Sequence, residues 1–168
     1  VTAPPSTSPP IPSIRSIDFA NRGYEVDCTG SGTVATIEVR NGSWTSPEGP
    51  WYGSMEGVDT KFGDVTGDGR EDALVNLYCT TGAGGYGWAT TVVMEAVPGG
   101  VAQVGQAIPA TTYFIDGQLI GEVPYFEDSD SSCCPSSIDQ SRWVLRNGGW
   151  SEEVGERVPA DLSYGWGE

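Results

Sequence analysis

Four turn signals dominate this chain. Asn41-Gly42 separates the strand-like run 34–40 from Ser43-Trp44-Thr45, and Asn147-Gly148 separates 142–146 from Gly149-Trp150. Asp116-Gly117 stands between Tyr113-Phe114-Ile115 and Gln118-Leu119-Ile120, and Pro98-Gly99-Gly100 stands between 89–97 and 101–104. Asn-Gly and Asp-Gly supply two consecutive residues that tolerate positive φ, as a tight hairpin turn requires. With Gly 24 and Pro 12, few windows run far enough without a breaker to hold a helix. The expectation is an all-β, antiparallel, hairpin-rich domain of about eight to ten strands, closed as a sandwich or irregular barrel. Residues 14–22 offer either a short helical turn or a first strand. The segments 38–44 and 144–150 resemble each other around their Asn-Gly turns, but their flanks differ, so convergence on a good turn is preferred over duplication.

The chain has 168 residues, enough for one domain with a sizeable core. Residues 1–13, VTAPPSTSPPIPS, are rich in Pro, Ser and Thr and cannot pack a core, leaving 14–168 as a single β domain. Residues 1–13 read either as a plain disordered end or as a spacer from a lipid anchor upstream of Val1. No run approaches the roughly 20 apolar residues of a membrane helix.

The net charge of −15 repels nucleic acid and anionic lipid surfaces. The absence of histidine removes the Ser-His-Asp and Cys-His nucleophile systems and the commonest zinc ligand. Carboxylate-only hydrolysis survives that cut. The four cysteines, Cys28, Cys79, Cys133 and Cys134, favour disulfides and an extracellular or cell-envelope address. Cys28 and Cys79 each end a strand-like run, which favours pairing them; the crossed pairings with Cys133 and Cys134 stay open.

One stretch has metal-ligand spacing. In Asp64-Val65-Thr66-Gly67-Asp68-Gly69-Arg70-Glu71-Asp72, oxygen side chains take the first, third, fifth and ninth places and glycine the sixth. Calcium takes about six to eight oxygens, which such a turn gathers when alternate side chains point inward. Asp64, Asp68 and Asp72 would give carboxylates, Thr66 its hydroxyl or a held water, and Arg70 its backbone carbonyl. The twelfth place is Val75, so the bidentate acid of a full EF-hand is missing. The competing expectation is an ion-free turn in which the aspartates cap backbone N–H groups. A structural Ca²⁺ is preferred, because three converging carboxylates would otherwise repel one another.

Trp44, Trp51, Tyr52, Tyr86, Trp88, Trp143, Trp150, Tyr164 and Trp166 offer either sugar-stacking platforms or, as the plainer reading for a small β domain, core and hairpin packing. Trp51, Tyr52, Tyr86 and Trp88 lie in glycine- and proline-rich surroundings and are the candidates for an exposed binding patch. Glu127, Asp128 and Asp130 read as a solvated acidic loop ahead of a second cation site.

Phe62-Gly63-Asp64 together with the 64–72 loop and the apolar run after it resembles the calcium loop of integrin-type FG-GAP repeats. Its first nine residues also resemble a dockerin repeat. The pattern occurs once, so propeller architecture is not implied. Asp18-Phe19-Ala20-Asn21-Arg22-Gly23-Tyr24, the 63–69 loop with Cys79 after its strand, Cys133-Cys134-Pro135-Ser136 and Arg142-Trp143 resemble actinobacterial secreted proteins and lipoproteins of unknown function of the LppP/LprE kind. That resemblance implies an envelope or secreted protein and carries no catalytic residues. The expected function is a non-enzymatic, monomeric, calcium-stabilised domain that binds a protein or glycan; the alternative is a carboxylate-based hydrolase of cell-wall glycan.

Overall fold

A computed structural model describes residues 8–28, 32–46, 52–55, 60–81, 87–131 and 134–163. The architecture is all-β and antiparallel. Within the described residues twelve strands form, more than the turn signals suggest, because several are only three or four residues long. A 3-10 turn at Ile14–Ser16 takes the place of the first strand, and a second follows the last strand at Ala160–Leu162.

The three sheets stack around two apolar cores. β1 (Gly23–Val26) and β2 (Ala35–Glu38) make a two-stranded ribbon. The central sheet runs β3 (Ser43–Thr45), β4 (Tyr52–Met55), β6 (Asp72–Thr80), β7 (Trp88–Val97), β8 (Gly100–Gln103). β5 (Lys61–Gly63) pairs with the start of β6, through Gly63 opposite Asp72, while β4 pairs with its end, through Tyr52 opposite Thr80. The third sheet has the order β12 (Gly149–Pro159), β11 (Ser137–Arg146), β10 (Gln118–Tyr125), β9 (Thr111–Ile115).

β6 explains the layering. Its Ala73, Val75, Leu77 and Cys79 face the ribbon and pack with Tyr24, Val26, Ile37 and Trp44. Leu74 faces the other way, joining Val93, Ile108, Ala110, Leu119 and Trp150 under the third sheet. A strand buried on both faces reads as a continuous apolar run. Each of its buried leucines and valines contributes about 1.5–3 kcal/mol of burial. Asn76 interrupts that run with a purpose. Its Oδ1 accepts the Thr112 N–H at 3.1 Å, and its Nδ2 donates to the Thr112 carbonyl at 3.3 Å. The side-chain amide thus stands in for a strand and ties the central sheet to β9. The Thr91 hydroxyl reaches both Asn76 Oδ1 and the Ala110 carbonyl, so the group is fully engaged although buried.

Three expected hairpins form: β7–β8, β9–β10 and β11–β12. Asn147 and Gly148 have φ 52° and 77°, and Asp116 and Gly117 have 50° and 76°, the mirror-image turn that matches strand twist. Pro98-Gly99 alone turns the chain, and Gly100 already pairs with Val97. The fourth turn departs from expectation. Asn41 and Gly42 adopt the same conformation and close the Arg40–Ser43 bridge, but the ladder stops there. β2 then pairs with β1 and β3 with β4, so this turn hands the chain from one sheet to the next. The likeness between 38–44 and 144–150 is therefore one turn serving two topologies. At Gly155 the β11–β12 register shifts; a Cβ there would lie 1.6 Å from the Gln140 carbonyl oxygen.

Candidate metal loop and ligand cleft

The loop 64–72 joins β5 to β6 and is closed by its own aspartates. Asp64 Oδ1 accepts the N–H groups of Gly67 and Asp68 at 2.8 and 3.1 Å, and Oδ2 accepts that of Gly69 at 2.9 Å. Asp72 Oδ2 accepts those of Val65 and Thr66 at 3.0 and 2.9 Å. Gly67 and Gly69 have φ 79° and 84°, which side-chain-bearing residues rarely adopt. Asp72 is 1% exposed. Its burial pushes the carboxyl pKa up, against the pull of the Thr66 and Val65 N–H donors.

Two features suit a cation here. The Thr66 hydroxyl oxygen is buried beside the Asp72 carboxylate. The Asp72 carboxylate is itself buried at the loop's base. One feature opposes it. Asp68 is held by Arg70, whose Nε and Nη2 both donate to Asp68 Oδ2, at 2.8 and 2.5 Å. Arg70 Nη1 also donates to the Ala96 carbonyl at 3.0 Å. Arg70 holds the Asp68 carboxyl below its usual range. Among the described residues, no three acidic, histidine or cysteine side chains converge as a metal cluster. The Asp64 and Asp72 carboxylates thus cap backbone N–H groups, as the ion-free turn would have them, and the Asp68 side chain is directed to a guanidinium.

Cys28 and Cys79 form a disulfide, with Cα atoms 5.4 Å apart. It joins the end of the ribbon to the end of β6. Cys134 is disulfide-bonded as well, and Cys133 lies outside the described residues. Trp51 and Tyr86 also lie outside them; Trp88 begins β7 but its side chain is not described. Tyr52 lies on β4 and is 43% exposed. Trp44 and Trp150 are core residues, each 4% exposed. Asp130 accepts the N–H groups of Glu127 and Ser136, so it pins its own loop.

One cleft among the described residues involves none of the residues singled out from the sequence. It measures about 600 Å³ and lies between the β1–β2 ribbon and the segment from β8 to Pro109. Tyr24 and Val26 of β1 turn into the core, so the alternation sends Glu25 outward, and Asp27 follows on the same side. Gln103 of β8 braces the ribbon: its Oε1 accepts the Glu25 N–H at 3.1 Å, and its Nε2 donates to the Glu25 carbonyl at 2.9 Å. An amide therefore caps a strand edge that would otherwise be open. Gln106 Nε2 donates to the Trp150 carbonyl at 2.8 Å, and Trp150 Nε1 donates to the Val104 carbonyl at 2.8 Å, which fixes the far wall on β12. Asp27 Oδ2 accepts the Gly32 N–H at 2.6 Å. The alternation Tyr24-Glu25-Val26-Asp27 is visible in the sequence as a polar strand face. What stands over that face is not, because Gln103 lies 78 residues from Glu25.

Among the described residues no helix is long and apolar enough to cross a membrane. No family model matches this chain, and no curated protein or solved structure does either.

Proposed function

We propose that this chain is a non-enzymatic binding domain of the cell exterior or envelope, held by disulfides and by calcium at the 64–72 loop, with its ligand seated in the cleft beside β1. The observation that carries this reading is the distribution of the cleft's carboxylates. Glu25 and Asp27 belong to one wall, two residues apart, with Asp27 just past the end of β1. Hydrolysis of a glycosidic bond needs an acid and a second carboxylate flanking the bond from different sides. Among the described residues the facing wall offers Gln103, Gln106, Ala107 and Pro109, and no acid. On the described lining such a cleft suits holding a ligand, and its two carboxylates do not face each other across it.

The cell-exterior placement rests on the Cys28–Cys79 disulfide and on the Pro/Ser/Thr-rich start. Calcium rests on the Asp64 and Asp72 cradle and on the buried Thr66 hydroxyl. The Asp68–Arg70 pair is exposed and screened by solvent, so an ion in excess over its Kd can displace the guanidinium.

The hydrolase reading keeps one observation in its favour, two carboxylates in a cleft away from the loop. Incubation of the purified domain with cell-wall glycan, followed by measurement of new reducing ends, separates the two. The expected result is no release by the parent or by Glu25→Gln. Release by the parent that disappears in Glu25→Gln or Asp27→Asn would overturn the binding reading.

A further inference from the structure

We propose that the cleft between β1 and the 104–109 segment binds a linear aliphatic diamine or polyamine; this rests on the binding reading above and names its ligand class. Charge is the first reason. Glu25 and Asp27 line the cleft, and none of the described residues that line it is basic. The Glu25 carboxylate makes no hydrogen bond or ion pair among the described residues, its contacts to Gln103 being made by its backbone. Six of the seven arginines are paired elsewhere. Arg15 pairs with Glu71, Arg40 with Glu38, Arg70 with Asp68, Arg142 and Arg146 with Glu153, and Arg157 with Asp139. In a chain of net charge −15, a concave site with low-dielectric walls focuses that negative potential.

The walls define the rest of the ligand. Val34, which is 56% exposed, and Ala107 and Pro109 give an aliphatic lining. The Gln103 and Gln106 amides direct hydrogen bonds to backbone groups of Glu25, Gly105 and Trp150. The cleft thus presents mainly acceptors and methyl groups. An anion is repelled, and a saccharide finds no aromatic platform among the lining residues. An ammonium group on a methylene chain satisfies both surfaces. Residues two apart in extended chain start at most about 6.8 Å from each other, a span that four or five extended methylenes between two ammonium groups also cover. A volume of about 600 Å³ is that of a small-molecule site, which favours a free amine over a segment of a basic protein.

The test is a titration of the intact domain, followed by backbone amide NMR shifts and calorimetry, with 1,5-diaminopentane and spermidine as probes. The uncharged isostere 1,5-pentanediol, a neutral oligosaccharide and a short lysine-rich peptide are the comparators. The amines are expected to shift residues of the cleft, and Glu25→Gln is expected to weaken them about tenfold. Glu152→Gln, an exposed change on β12, should leave their affinity unaltered. Glu25→Gln changes only an exposed carboxylate and keeps the backbone brace to Gln103, so an unchanged amide spectrum away from the cleft verifies its fold. Equal amine affinity in the parent and Glu25→Gln would mean diffuse attraction to an acidic surface and would overturn the proposal. So would equal binding of the diol, or binding of the lysine-rich peptide with both amines silent. If the oligosaccharide shifts the cleft and the amines do not, the amine proposal falls while the binding reading stands. If nothing binds and glycan is cleaved, both fall.

Discussion

Removing the Cys28–Cys79 bridge by the double substitution Cys28→Ala, Cys79→Ala should cost this domain a large share of its stability. The bond closes a loop of sequence separation 51. The chain-entropy relation, −2.1 − 1.5R ln n with n set to 51, gives about 4 kcal/mol at 25 °C. The two sulfur atoms also leave the core, where Cys28 is 8% and Cys79 0% exposed, so the truncation adds to the loss. Against a usual total of about 5–15 kcal/mol, the variant would be marginal. Urea unfolding of parent and variant measures the difference. The urea dependence should steepen at the same time, because an unfolded chain without the cross-link exposes more surface. A loss below about 1 kcal/mol with an unchanged slope would refute the reasoning. It would mean that the ribbon, docked through Tyr24, Val26 and Ile37, needs no covalent tie, or that the unfolded chain already keeps those ends together.

Calcium should raise the parent's melting temperature relative to chelator by about 5–10 °C at 100-fold excess over its Kd, the equivalent of about 2.7 kcal/mol; Asp68→Ala should abolish the rise, and equal melting of the parent in both buffers would remove calcium from the account. Asp130 predicts an acid-sensitive loop. The N–H groups of Glu127 and Ser136 hold its carboxyl below the ordinary value of 3.8. A depressed carboxyl contributes stability that is complete above the unfolded value and is lost as pH falls through the folded one. The amide shifts of Glu127 and Ser136 should therefore titrate with a midpoint under 3.8, and a midpoint at or above that value would contradict the caps.

The sequence was most informative where interactions are local. The hairpins at 88–103, 111–125 and 137–159 could be read from two-residue turns because each turn and both of its strands are contiguous. The 64–72 loop was legible for the same reason. Asp64 and Asp72 reach N–H groups only three to seven residues away. Its Asp68–Arg70 contact is also local, but spacing alone did not decide between an inward and an outward carboxylate.

Chain-distant packing decided everything else. The Asn41-Gly42 turn fixed its own backbone and nothing beyond it, since partners from other parts of the chain drew β2 to β1 and β3 to β4. β4 and β5 divide one edge of β6 between them, an arrangement no pattern within either strand encodes. The aromatic residues that suggested a binding surface include core members such as Trp44 and Trp150, while the cleft is walled by acids, amides and small apolar groups. By itself, then, the sequence determined the antiparallel β class, the turns, the acidic surface and the capped loop, because these follow from neighbours in the chain and from composition. Only the tertiary structure decided that Glu25 and Asp27 share a cleft with Gln103 and Gln106. That meeting depends on two sheets closing over buried Tyr24 and Val26, and the outward face of a strand carries no mark of what the fold will set opposite it.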